Sequence, residues 1–335
     1  MTNLLLIKGS KDDQCNDLCI VGSGAIKCDA GESSWLPLLE NIKKLALLLD
    51  FNPPDNAENT LYAEFLCSWI GEYSRVVTLR LAYHLIVALL NHRKKSEGKE
   101  LRNCINRELK DLNPPYDNSY FEADWYDPKK LGETFEDFNK LYKQWQLLKD
   151  ARSELAKVYK EAEKRLGKRN YNEEVEEVLS KNWILTLNWD TTLWDIRTEK
   201  IIQWHGLCSH SETMILPTEV YNSLEFIRVL IIPDTSWMCE KQKEFYDWCL
   251  KRTEALHAVT CKAHELISRA SSIWFVGCAL NTYDCEVNTA FSKVKTPNLK
   301  QVNIVNLKKN KEAVTLRTKF LISRKNDVEQ RFIDV

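Results

Sequence analysis

Thr186, Asn188 and Asp190 bring a hydroxyl, a carboxamide and a carboxylate to alternate positions, where the apolar run Trp183-Ile184-Leu185 gives way to polar residues. Alternation along a strand puts these three on one side, at its carboxyl end. Farther on, Ile201-Ile202-Gln203-Trp204 leads into His205-Gly206, again apolar residues running into a polar one and a glycine. A carboxamide both donates and accepts hydrogen bonds, and an imidazole takes up a proton near neutrality; together they suit the holding of a polar substrate and a proton transfer. Each has a plainer reading. Asn and Asp are routine turn residues, Asp190 is a natural cap for the next helix, and an isolated histidine is more often structural. Near the start, the run Leu18-Cys19-Ile20-Val21 passes directly into Gly22-Ser23-Gly24-Ala25. Small residues there let backbone N–H groups approach a pyrophosphate beside a helix N-terminus, or serve only a tight turn.

The elements that must position these residues follow from hydrophobic periodicity. Leu18 to Val21 reads as a buried parallel strand entering the glycine turn, and Trp35 to Leu49 as a helix capped by Ser33 or Ser34. Asn52-Pro53-Pro54-Asp55 breaks the pattern, and no convincing strand is expected from there to about Leu179. Instead Thr60 to Lys94 predicts one or two helices, Glu97 to Leu112 another, and Glu133 to Arg165 a long amphipathic helix rich in Lys and Glu. Strands return at Trp183 to Leu187, Glu225 to Ile232, Ser272 to Val276 ending at Gly277, and Gln301 to Val305 ending at Asn306, with a helix over Lys241 to Ala270. The expected fold class is therefore α/β: a Rossmann-like, mostly parallel sheet with a large α-helical insertion, divided as residues 1–52, 53–180 (the insertion) and 181–335. In such sheets ligands lie at the carboxyl ends of the strands, where the residues above stand.

Composition narrows the functional classes. The chain has 335 residues, 44% hydrophobic and 28% charged, with a mean hydropathy of −0.40, which fits a globular protein and excludes collagen, coiled-coil array and disordered chain. With 47 basic and 48 acidic residues and a net charge of −1, no global field favours nucleic acid or an acidic membrane, so direct nucleic-acid binding is not expected. The basic run Asn91 to Lys110 reads as a solvated face. Leu79 to Leu90 contains Arg80 and His84 and is too short for a membrane span. Eleven cysteines, an odd number, without a secretory pattern at Met1 to Ser10 imply free thiols and a cytoplasmic location. Cys15, Cys19, Cys28 and the Cys208/His210 pair lack the C-x-x-C spacing of a structural zinc site, so no metal is expected.

Five motifs in order resemble the sirtuin superfamily, and more closely its bacterial branch of sirtuin-like NAD+ hydrolases used in antiphage defence. They are Gly22-Ser23-Gly24-Ala25 with Gly31 and Trp35; Thr186-Leu187-Asn188-Trp189-Asp190; His205-Gly206; Gly277-Cys278-Ala279-Leu280 with Asp284; and Asn306. Ile26 stands where the family commonly has Ser or Thr, and the four-cysteine zinc module of deacylating sirtuins is missing between Gly206 and Pro233. Protein deacylation is accordingly the less expected outcome.

The resemblance implies NAD+ as substrate and cleavage to nicotinamide and ADP-ribose. In NAD+ the nicotinamide is already cationic, so its departure needs no general acid; the barrier lies in an oxocarbenium-like transition state and in placing the nucleophile. By resemblance, Asn188 holds the ribose hydroxyls or the attacking water, His205 is the general base, and Asp190 orients the site or stabilises positive charge. Gly22, Ser23, Gly24, Ala25, Trp35, Thr186, Gly277, Cys278, Asp284 and Asn306 are the implied NAD+ contacts. The family further implies a defence effector causing abortive infection, gated by homo-oligomerisation or by a separately encoded partner such as a HerA-like ATPase or an Argonaute-like protein. The rival expectation is a catalytically silent pocket that binds NAD+ or ADP-ribose and drives assembly.

Overall fold

The structure is a computed structural model that describes residues 7–8, 17–28, 59–92, 135–163, 166–169, 171–195, 200–219, 235–280, 284–322 and 328–334. The helices expected over Trp35 to Leu49 and Glu97 to Leu112, and the strand expected over Glu225 to Ile232, lie outside those residues.

The chain is an α/β protein with a Rossmann-like sheet and a helical insertion. In chain order the strands are β1 (Ile7–Lys8), β2 (Asp17–Val21), β3 (Ile26–Cys28), β4 (Leu166–Arg169), β5 (Trp183–Thr186), β6 (Ile201–Gln203), β7 (Ser272–Val276), β8 (Gln301–Asn306) and β9 (Glu329–Asp334). The helices are α1 (Asn59–His92), α2 (Phe135–Glu163), α3 (Glu173–Lys181), α4 (Glu240–Arg269), α5 (Cys285–Lys293) and α6 (Lys311–Leu321). Among the described residues the main sheet has the order β1-β6-β5-β2-β7-β8-β9. Only β1 runs antiparallel, at one edge. Numbering the six parallel strands from β2 onward gives 3-2-1-4-5-6, the order of doubly wound dinucleotide-binding sheets. The switch point therefore lies between β2 and β7.

Burial on both faces explains why β2, β5 and β7 are nearly continuous apolar runs. On one face Leu18, Ile20, Leu185, Ile202, Ile273, Phe275 and Ile304 pack with Val259, Ala263 and Ile267 of α4, Val287 of α5 and Val314 of α6. On the other, Cys19, Val21, Ile184, Ile201, Val276 and Val305 pack with Val175 and Leu179 of α3. Asn172 caps α3 by accepting from the Val175 N–H at 3.1 Å, with Glu173, Glu174 and Glu176 in the first turn.

Several features differ from the sequence-based expectation. The stretch read as free of strands contains β4, which pairs antiparallel with β3 in a small second sheet. Leu-Gly-Lys-Arg carries no apolar run, and its partner lies on the far side of the insertion. The Gly22 turn does not pass straight into a helix: Ser23–Ala25 forms one 3-10 turn and β3 follows. The chain clusters into two compact units. One comprises residues 1–71, 151–219 and 255–335, and the other residues 72–150 and 220–254. Within the second unit Trp145 meets Phe245 and Trp248 edge-on, and Tyr142 and Lys149 both donate to Glu244.

At the switch point β2 and β7 come together at glycine. The Gly22 N–H donates to Val276 O at 2.9 Å, and the Gly277 N–H donates to Val305 O at 2.9 Å. A Cβ on Gly22 would lie 2.9 Å from the Gly277 oxygen and 3.0 Å from the Cys278 Cα, both backbone atoms. Gly22→Ala is thus expected to lower the free energy of unfolding by about 1–3 kcal/mol through overpacking, read from the denaturant midpoint. An unchanged midpoint would show that the two strand ends can part freely.

Candidate functional site

Beyond the switch point, the loop after β7 is set before any ligand arrives. Gly277 and Leu280 have φ of +61° and +48°, the left-handed region, which is strained for leucine. Three side chains hold the loop there. Asn306 Nδ2 donates to Cys278 O at 3.0 Å, Arg317 Nη1 donates to Ala279 O at 2.8 Å, and the Cys278 thiol donates to Ile20 O at 3.2 Å. Asn306 Oδ1 accepts from the Leu307 N–H at 2.8 Å and from Asn310 Nδ2 at 2.9 Å, so this side chain is committed to the fold. Burial first, and then the Asp284 carboxylate, push the Cys278 thiol well up and keep it protonated. Asp284 sits immediately before α5. Ser23 is exposed and Ala25 buried. Trp35 and Gly31 lie outside the described residues.

Asn188 and His205 follow adjacent parallel strands. Thr186 of β5 is the register partner of Gln203 of β6. Past that pair the two chains are tied twice more: the Trp204 N–H donates to Thr186 O at 3.0 Å, and the Cys208 N–H donates to Trp189 O at 2.8 Å. Asn188 falls inside the first bracketed segment, residues 186–189, and His205 inside the second, residues 204–208. Trp189 closes the bracket, since its Nε1 donates to Ile215 O at 3.2 Å while the Ile215 N–H donates to His205 O at 2.9 Å. Tyr159 meets the Trp189 ring edge-on at 4.7 Å. Thr186, an expected NAD+ contact, is fully buried, and its hydroxyl accepts the Asn188 N–H at 3.1 Å. It therefore fixes the backbone of Asn188.

The bracket holds two buried polar side chains. Asn188 and His205 are 7% and 8% exposed, yet Asn188 Nδ2 and His205 Nε2 have no hydrogen-bond partner among the described residues. Buried polar atoms are nearly always paired, and a free one costs about 1–3 kcal/mol. Burial lowers the His205 pKa from 6.5 to about 4, with Glu219 opposing the shift, so the imidazole is neutral at physiological pH. Gly206 turns the chain directly after it at φ +78°, and a Cβ there would meet Thr213 O at 2.1 Å.

Asp190 makes the contact that its capping reading expects. Its Oδ1 accepts the Thr192 N–H at 2.9 Å and caps the 3-10 turn Thr192–Asp195, while its backbone oxygen accepts from Gln203 Nε2 at 3.1 Å. Burial raises its carboxyl pKa, the Thr192 bonds oppose this, and the Glu163 charge adds to the rise. The Cys208 thiol is pushed up to about 12 by burial, Glu163 and Asp190, and stays a thiol.

Sequence reasoning missed the groups that hold the His205 loop. Arg152 of α2 donates through Nη1 to Met214 O at 2.6 Å and to Glu219 Oε2 at 3.1 Å, and through Nη2 to Glu219 Oε1. The Leu216 N–H donates to Glu219 Oε2 at 2.8 Å. At the end of α2, Glu163 accepts from the Thr191 N–H at 2.7 Å and from its hydroxyl. A signal existed for Arg152, which lies on the buried stripe of its helix between Leu148 and Leu155. None existed for Glu163.

Two outcomes follow from these environments. Arg152→Met takes the cationic partner of Glu219 out of the interior and is expected to cost about 3–5 kcal/mol, whereas Arg152→Met with Glu219→Leu restores most of the loss. Equal costs for the single and the double variant would count against this buried pair. For His205, the folded pKa of about 4 lies below the unfolded 6.5, so the unfolded chain binds the extra proton. Stability is complete above pH 6.5 and falls as pH drops toward 4. Between pH 7 and pH 5 His205 contributes a loss of about 2 kcal/mol, which His205→Phe removes. Urea midpoints at both pH values for both proteins check this.

The chain matches no protein-family model, no curated protein and no solved structure, so the reading of this site rests on its own residues.

Proposed function

We propose that the chain is an NAD+ glycohydrolase, cleaving NAD+ with water to nicotinamide, ADP-ribose and a proton. The observation that carries this reading is the pair of buried atoms, Asn188 Nδ2 and His205 Nε2, that have no hydrogen-bond partner among the described residues and follow adjacent strand ends of a sheet with the doubly wound order. Asn188 donates to a ribose hydroxyl or to the attacking water. His205, neutral in the resting site, accepts the proton that the water sheds as its oxygen bonds to the anomeric carbon and the carbon–nitrogen bond to nicotinamide breaks. The Glu219 carboxylate favours the imidazolium so formed. Gly22 lets the loop after β7 pack closely against β2 at the switch point, beside which a pyrophosphate is expected. Trp189, Thr186 and Asp190 hold the two reacting side chains in place.

By resemblance, the wider reading is a cytoplasmic defence effector that depletes NAD+ and is gated by self-assembly or by a partner such as a HerA-like ATPase or an Argonaute-like protein. No described helix is long and apolar enough to cross a membrane. The rival pocket that binds without turnover needs phosphate and adenosine contacts but neither Asn188 nor His205, and the presence of both favours hydrolysis.

Incubation of the purified protein with NAD+, alone and with the product of the neighbouring gene, is expected to release nicotinamide without any acyl-peptide. Asn188→Ala and His205→Ala are each expected to reduce release about a hundredfold or more with thermal unfolding unchanged or raised, because each removes an unsatisfied buried group. Full turnover in both variants, or tight NAD+ binding without turnover in the parent, would overturn the assignment.

A further inference from the structure

Gln203 has no role in the reaction as drawn above, although its chemistry is the most narrowly defined in the site. It lies in β6 beside Thr186 of β5, is 1% exposed, and precedes His205 by two residues. Its Nε2 donates to Asp190 O at 3.1 Å. A backbone carbonyl oxygen only accepts, so this contact settles which end of the carboxamide is which: nitrogen faces Asp190, and Oε1 faces elsewhere. That oxygen is buried without a hydrogen-bond partner among the described residues. Rotating the amide to satisfy it would give up the Asp190 bond and leave the nitrogen free instead. The side chain is thus an acceptor held open by its neighbours.

Placement ties this acceptor to the reacting pair. Ile184 of β5 and Ile201 of β6 pack on the same face of the sheet, and Thr186 and Gln203 follow each of them by two residues. The Thr186 hydroxyl fixes the Asn188 N–H, and the Asp190 oxygen held by Gln203 closes the same loop. Asn188 offers a free donor and Gln203 a free acceptor. Two adjacent sugar hydroxyls, each able to donate and accept, answer both demands, whereas a group that only accepts answers one.

Resting on the ribose reading of the site, we propose that Gln203 Oε1 accepts a hydrogen bond from a hydroxyl of the ribose that bears nicotinamide, making Gln203 a specificity-determining residue that demands a donor on that sugar. A sugar lacking the hydroxyl leaves Oε1 buried and unpaired, and is rejected for that reason.

Binding of ADP-ribose, and of analogues lacking the 2- or the 3-hydroxyl of its terminal ribose, is measured by calorimetry on the parent, Gln203→Met and Gln203→Leu. Equilibrium binding is used because removing a hydroxyl also alters the reactivity of the sugar. One analogue is expected to bind the parent about tenfold to a hundredfold more weakly than ADP-ribose. That penalty is expected to shrink to about twofold or less in Gln203→Met, as a coupled pair requires. The same penalty in parent and variant overturns this inference and leaves the hydrolase reading intact. So does a parent that binds all three ligands equally, a result that needs no variant to fold. A parent that neither binds ADP-ribose nor releases nicotinamide from NAD+ overturns the ribose reading and this inference with it.

Discussion

A buried hydrogen-bonding group left without a partner works against folding by about 1–3 kcal/mol, and among the described residues Asn188 Nδ2, Gln203 Oε1 and His205 Nε2 stand in that state at the ends of two neighbouring strands and just beyond them. The surrounding structure must over-determine them, since each would otherwise turn toward water or toward its neighbour. The brackets at Thr186–Trp204 and Trp189–Cys208, the Trp189 indole and the Asp190 cap supply that determination. Beneath them, the Arg152–Glu219 pair fixes the segment that follows His205. These supports are drawn from α2, β5, β6 and the loops after them.

Along the carboxyl edge of the parallel sheet, two places make different demands. At the switch point the demand is for space: Gly22 and Gly277 let β2 and β7 close on one another, and committed side chains such as Asn306 and Arg317 set the loop beyond. At the β5 and β6 ends the demand is for uncommitted polarity.

How much of this was legible in the sequence depended on what each residue packs against. Strands β2, β5, β7 and β8 could be read because both of their faces are buried, so that Leu18 to Val21 or Ser272 to Val276 is nearly unbroken apolar sequence. β9 could not, because Glu329, Arg331 and Asp334 face solvent and only Ile333 is buried. Asn188 and His205 were visible as polar residues ending apolar runs. Arg152 with Glu219 was not, since 67 residues separate the partners and neither stands in a motif. Gln203 was hidden for another reason: what distinguishes it is a missing bond, and no residue spacing encodes that. Asp190 could be read both as a cap and as a site residue, and its contact with Thr192 is the one a cap makes.

β9 closes the described sheet on the side away from β1, and such a terminal strand is a ready template for cross-chain ladder growth. Here its outward positions alternate in charge, Glu329 and Arg331, with Arg331 reaching Glu174 at 3.7 Å. Adding another chain along this margin would strip water from those ions without offering them counterparts in register. Edge-to-edge stacking is discouraged along that strand.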